Sequence, residues 1–216
     1  MSNKITYIIT FGLAMILILG GLVLLPQLPE QVPSHWNELG QVNGYTGKWN
    51  AILVMPAIMV GMIILMIVIP SIDPKRANIA LFRPQYNIFI VCMTIFFSYL
   101  HILTLLAGFG KRIDMNRMLI PAIGLLYIVM GGIVRVAKRN YMIGIRTPWT
   151  LNSDYVWEKT HQVGGIAFMV AGIICFLGFL VPDIAFLLMI IPVLAVALGV
   201  MVYSYILWRQ EERIGH

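Results

Sequence analysis

Two stretches of this chain concentrate side chains that can do chemistry. The first runs Ser34-His35-Trp36-Asn37-Glu38 and continues to Lys48; the second runs Asn140-Tyr141-Met142-Ile143-Gly144-Ile145-Arg146-Thr147-Pro148-Trp149-Thr150 and is followed by Trp157 and His161. In the first, His35 and Glu38 would share a face if the segment were helical, as a metal-binding pair does. Two ligands fall short of the set zinc takes, and no His-Glu-x-x-His follows. Three prolines and three glycines between residues 26 and 50 also argue against a helix and for a compact, turn-rich cap. No metal site and no cofactor is assigned on this reading. The run from Gly44 to Lys48 fails as a phosphate loop, because Val42 stands where the first glycine belongs and Trp49 where a hydroxyl would meet magnesium. Two readings stay open: Trp36, Tyr45 and Trp49 anchor the cap at a headgroup boundary, or His35, Trp36, Asn37, Glu38 and Lys48 form a recognition surface for a ligand.

In the second stretch Thr147 precedes Pro148, which pushes it toward an extended backbone and holds Arg146 and Trp149 on a stiff connector. A stiff connector suits recognition of a partner; a basic clamp with aromatic anchors is the plainer alternative. Beyond it, Asn152, Ser153 or Asp154 is placed to cap a short amphipathic helix carrying Tyr155, Val156 and Trp157, expected to lie along the membrane surface.

The elements that must position these stretches are apolar. Of 216 residues 60% are hydrophobic and only 11% charged, where a soluble domain needs about a quarter charged. The expected fold class is therefore all-α, a polytopic membrane bundle. A hydrocarbon core of about 30 Å takes about 20 helical residues, and six runs of that kind are found near residues 5–25, 51–69, 88–109, 118–137, 163–181 and 184–207. The first is too long for a signal-peptide core and ends in Leu25-Pro26-Gln27-Leu28-Pro29 without a small-x-small cleavage site, so it reads as a retained helix. Pro182 and Asp183 separate the last two as a tight hairpin. In sequence order the chain divides into a helix pair at 1–70 with the loop 26–50, a central pair at 71–137, and a loop 138–162 with a final pair within 138–216.

The net charge of +6 comes from basic residues placed between apolar runs, where lipid headgroups account for them and nucleic acid does not. With the N-terminus cytoplasmic, eleven Lys and Arg fall inside (Lys4, Lys75, Arg76, Arg83, Arg135, Lys138, Arg139, Arg146, Lys159, Arg209, Arg213) and four outside (Lys48, Lys111, Arg112, Arg117). That asymmetry predicts both termini in the cytoplasm, the loop 26–50 outside and the loop 138–162 inside. Cys92 and Cys175 each lie within an apolar run, read as buried small hydrophobes rather than a disulfide framework.

Within the spans, His101 is the principal ionisable side chain; it is a candidate for function, or a packing residue hydrogen-bonded to partners such as Tyr99 or Thr104. Arg135 can snorkel to phosphates. The absence of an Asp/Glu chain across the bilayer counts against a proton-driven pump. Ala167, Ala171 and Cys175, and separately Ala195 and Gly199, form stripes that would permit close helix approach. Pro56, Pro121 and Pro192 each free a backbone carbonyl, with Pro192 the expected kink.

Two of these motifs resemble the SdpI family of bacterial immunity proteins. One is Leu28-Pro29-x-x-x-Pro33-x-His35-Trp36-Asn37 continuing to Gly47-Lys48; the other is Arg139 to Thr150 with Trp157 and His161. The resemblance implies a multi-pass protein of the bacterial plasma membrane that is not an enzyme. It implies resistance to a secreted, hydrophobic, membrane-active peptide, the sporulation-delaying toxin, and recruitment of an ArsR-type transcriptional repressor to the membrane. On this resemblance His35 and Trp36 are expected at the external ligand surface, and the reading of the residues around them adds Asn37, Glu38 and Lys48. Asn140, Gly144, Arg146, Thr147, Pro148, Trp149, Trp157 and His161 are expected at the cytoplasmic partner surface. The competing expectations are a small-solute transporter, which needs an ionisable route across the bilayer, and an accessory membrane subunit, which needs its loops buried against another protein.

Overall fold

Lipid offers no partner to a backbone N–H or C=O, so a chain this apolar must satisfy its backbone within helices. The computed structural model, which describes residues 1–214, is an all-α polytopic bundle with six helices long and apolar enough to cross a membrane. They are α1 (Asn3–Leu24), α2 (Lys48–Ile72), α4 (Arg83–Gly108), α5 (Met115–Val136), α7 (Asp154–Leu177) and α8 (Ala185–Ile214); the short α3 (Arg76–Ala80) and α6 (Pro148–Asn152) lie in the connections. Three of the spanning helices start where a side-chain oxygen can accept an otherwise orphaned N–H. Ser2 accepts from Ile5 at α1, Asp114 from Arg117 at α5 and Ser153 from Val156 at α7. The six expected spans are all present, and the hairpin at Pro182 and Asp183 is a pair of tight 3-10 turns.

In packing, α1, α2 and α4 touch one another, α5, α7 and α8 touch one another, and contact between α4 and α5 joins the two triads. The tightest crossing is α5 on α7, and glycine makes it. A side-chain carbon at Gly124 would fall 2.7 Å from the carbonyl oxygen of Gly172, and one at Gly165 2.6 Å from that of Gly131. The partners run in opposite directions, 124 against 172 and 131 against 165, so two backbone faces meet along an antiparallel seam. The expected small-residue stripe on α7 agrees in part, with Ala171 and Cys175 buried. The stripe expected on α8 does not: Ala195 and Gly199 are exposed, and Val200, Ser204 and Leu207 form its buried face. Spacing alone cannot say which side of an apolar helix faces protein, because lipid is as apolar as the core. All three expected prolines lie inside helices that continue through them, Pro56 in α2, Pro121 in α5 and Pro192 in α8.

The loop between α1 and α2 is more ordered than a turn-rich cap. It forms an antiparallel hairpin of β1 (Gln31–Trp36) and β2 (Val42–Gly47), with irregular register around His35. Leu28 and Val32 are buried against Ala51, Ile52 and Leu105, which pins the hairpin onto the ends of α2 and α4.

Candidate functional site

The second motif folds into a closed knot of hydrogen bonds at the ends of α2, α5, α7 and α8. Asn140 is fully buried and uses its whole amide: Nδ2 donates to the carbonyls of Lys138 and Ile143 (both 2.8 Å), and Oδ1 accepts from the N–H of Met142 (2.9 Å) and Ile143 (2.6 Å). A buried amide satisfied in this way fixes one turn geometry, since every alternative leaves polar atoms unpaired. The turn leads to Gly144 at φ +119°, where a side chain would be strained and would also run into the His161 ring.

His161 closes the turn from α7. Its Nε2 accepts the Ile145 N–H at 3.0 Å, and its Nδ1 faces the Trp157 carbonyl at 2.8 Å. A ring that accepts at Nε2 and donates at Nδ1 is the neutral Nδ1–H tautomer. The imidazole stacks on Trp157, centroids 3.9 Å apart, and Trp157 Nε1 donates to the Ala137 carbonyl at 2.8 Å. Val156 and Trp157 are thus buried, at 0% and 2% exposure. The amphipathic surface helix expected over Tyr155 to Trp157 is therefore not formed; those residues are the first turn of α7, because the aromatic face finds a protein partner rather than a lipid surface.

Thr147 is extended as expected (φ −100°, ψ 161°) and caps α6 in a reciprocal capping box with Thr150. Its hydroxyl also donates to Ser204 on α8 at 3.1 Å, and Trp149 packs on Tyr205 of α8 with centroids 5.2 Å apart. Arg139 holds Asp154 through two guanidinium nitrogens, at 2.7 and 3.2 Å. Arg146 is exposed and donates to the Tyr141 carbonyl at 2.8 Å, and Pro148 is exposed beside it. The structure therefore separates the expected residues of this motif. Asn140, Gly144, Thr147, Trp157 and His161 hold the loop together, whereas Arg146, Pro148 and part of Trp149 remain at its surface.

Two residues that sequence reading missed tie this loop to the first triad. Asp73, 2% exposed, accepts from the Tyr141 N–H (2.9 Å) and the Lys75 N–H (2.6 Å), and Asn78 donates to the Arg139 carbonyl (2.7 Å). Asp73 beside Pro74 at the end of an apolar run was the available signal, a charge placed where burial is expensive unless hydrogen bonds meet it.

At the opposite end of the bundle the first motif is distributed along the hairpin. His35 Nδ1 pairs with Asn43 Oδ1 across the strands at 2.6 Å, and Lys48 pairs with Glu30 at 2.8 Å. Asn37 builds the turn, its Oδ1 accepting from the N–H of Leu39 and Gln41. Glu38 sits in that turn with its side chain exposed, and its carbonyl accepts from Asn116 of α5 at 2.8 Å. His35 and Glu38 do not share a helical face, because the segment is a strand followed by a turn. Trp36 is half-buried, and Tyr45 and Trp49 are exposed at 61% and 55%, so the hairpin and the first turn of α2 present aromatic surface.

His101 is fully buried in α4 and neither ring nitrogen has a partner among the described residues. The expected partners are engaged elsewhere: Tyr99 donates to the Met118 carbonyl, and Thr104 to that of Leu100. The buried hydroxyls along the same triad, Thr6, Thr10, Thr94 and Ser98, satisfy themselves on carbonyls of their own helices or, for Thr6, on the Ser2 cap. The His101 ring makes no such bond to its own helix, unlike His161 on α7. Cys175 is buried as expected, whereas Cys92, expected to be buried too, is half-buried and lines a groove between α4 and α5.

Comparison with known proteins agrees with this division into two motifs. Residues 136–204 match the SdpI/YfhL protein family, and residues 12–60 match a domain of unknown function, DUF1648. The chain is 27% identical over 177 residues to the Immunity protein SdpI of Bacillus subtilis (strain 168), covering 82% of this chain and 83% of that protein. No solved structure matches. The chain is a multi-pass bacterial membrane protein, and the resemblance read from its two motifs is borne out.

Proposed function

We propose that this chain, SdpI-like at residues 136–204 and along most of its length, is a non-enzymatic membrane immunity protein against a secreted, membrane-active peptide. The observation that carries the reading is the match, over 82% of this chain and 83% of the other, to a relative named for immunity. The adopted orientation puts the hairpin outside and the knotted loop in the cytoplasm, on the eleven-to-four distribution of basic residues. In that orientation the hairpin meets the toxin. Its exposed Leu39 and Tyr45, with Trp49 on the first turn of α2, offer apolar and aromatic surface to a hydrophobic peptide, beside His35, Asn37, Glu38 and Lys48. Leu28 and Val32 root the hairpin in the bundle, so toxin bound there is held at the membrane surface and kept from productive assembly.

The finer part of the proposal is an output at the other end. Arg146, Pro148, Trp149 and the exposed Tyr141 form the outward side of the knotted loop, a surface for an ArsR-type repressor. Toxin can change that surface only by binding one arrangement of the two triads more tightly than another. The test is a paired mapping in a toxin-sensitive host. Trp36→Ala and Glu38→Ala should lower survival under toxin, and Arg146→Ala and Trp149→Ala should lower repressor recruitment to membranes while leaving survival high. If all four variants keep both phenotypes, neither end carries the role assigned to it.

A further inference from the structure

Where the two triads meet, the bundle is not filled. On one side a groove of about 470 Å³ lies between α2 and α4 of the first triad and α5, α7 and α8 of the second, walled by Met66, Phe89, Met130, Phe168 and Val200. Residues 142–147 of the knotted loop close its end, and Arg146 is the single charged side chain on its lining among the described residues. A second groove of about 600 Å³ lies between α4 and α5 and also carries an arginine, Arg117. The two arginines differ in state. Arg117 is paired with Asp114 at 3.2 Å, whereas Arg146 has no acidic partner among the described residues and uses one N–H on the Tyr141 carbonyl. A guanidinium carries five N–H donors in a planar fork suited to phosphate, so most of that capacity at Arg146 is unspent.

We infer that the first groove is a binding site for an anionic phospholipid, with one acyl chain between the triads and the phosphate on Arg146. The chemistry is complementary at both ends. Methionine and phenylalanine walls suit a flexible hydrocarbon chain, and the loop that closes the groove joins two membrane spans, so Arg146 stands at headgroup depth. A zwitterionic lipid could fill the same walls but carries no net charge for the unpaired guanidinium. Bound lipid would bridge the two triads beside Gly144 and Thr147, making the knotted loop sensitive to lipid composition. This inference does not rest on the immunity reading, and its readout is separate from survival under toxin.

The experiment is native mass spectrometry of the full chain released from micelles, titrated with phosphatidylglycerol and phosphatidylcholine of identical acyl chains. The wild-type chain is expected to retain one phosphatidylglycerol at several-fold lower lipid concentration than phosphatidylcholine. Arg146→Gln should bring the two lipids to parity, and Ala197→Phe, which fills the groove from α8, should weaken both. Arg209→Gln removes an equal charge from an exposed position outside the groove and should keep the preference. Equal retention of both lipids by the wild-type chain, or a preference that survives Arg146→Gln, overturns the inference. So does an equal loss in Arg209→Gln, which would mean that charge acts without a site.

Discussion

The imidazole of His161 accepts the backbone N–H of Ile145 at 3.0 Å while facing the carbonyl of Trp157, one turn back on its own helix, at 2.8 Å. One side chain therefore fastens an irregular loop to a membrane helix, and Gly144 is the residue that lets the loop approach. Replacing His161 with Leu strands the Ile145 N–H, a loss of about 1–3 kcal/mol. Gly144→Ala forces a side chain into a left-handed backbone against the same ring and should cost a similar amount. Thermal unfolding in detergent should show both variants melting below the wild-type chain; an unchanged midpoint for either would mean the knot does not hold the loop.

Neighbouring glycines on α5 provide a sharper comparison. Gly131 faces the Gly165 carbonyl with no room for a carbon, while a carbon at Gly132 would meet nothing within 4 Å. Gly131→Ala should destabilise by roughly 1–3 kcal/mol through overpacking. Gly132→Ala should be neutral or slightly stabilising, since alanine is the better helix former. Equal midpoints for the two variants would contradict the close α5–α7 seam.

His101 yields a prediction of opposite sign. A buried imidazole with neither nitrogen partnered gains nothing from its polarity, so His101→Leu should keep stability or raise it by about 1 kcal/mol. Resistance should be unaffected. A fall in the unfolding midpoint would restore His101 as a packing residue, and a fall in survival at an unchanged midpoint would restore it as a functional group.

On the hairpin, burial and ion pairing should separate. Val32→Ala removes two methyl groups from a fully buried site, about 1.5 kcal/mol before any cavity cost. Lys48→Ala removes a pair whose Glu30 partner is largely exposed, a loss below about 1 kcal/mol. Limited proteolysis of the hairpin should follow that order, with Val32→Ala cut first.

The spans were readable because lipid imposes a helix on any run that long and apolar. The extended backbone at Thr147 was readable because Pro148 dictates it locally. What eluded sequence reading was set by contact across the fold. Trp157 has the pattern of a surface aromatic, yet its Nε1 meets the Ala137 carbonyl, and the pairing of Gly124 and Gly131 with Gly172 and Gly165 joins successive spans on faces that apolar spacing does not mark. Composition could not show that Gly199 faces outward, nor that Asp73 is buried to hold Tyr141. Of the residues expected to bind partners, several prove to be internal fasteners, because a polar side chain in a loop has the same appearance in sequence whether it points inward or outward.

The immunity reading meets its most direct test in a toxin-sensitive bacterium that expresses the full chain and is challenged with purified sporulation-delaying toxin beside an empty-vector control. Survival and membrane potential are followed together. The account predicts that expressing cells survive with their potential held while control cells depolarise. Depolarisation at the same toxin dose, with membrane expression confirmed, would contradict it.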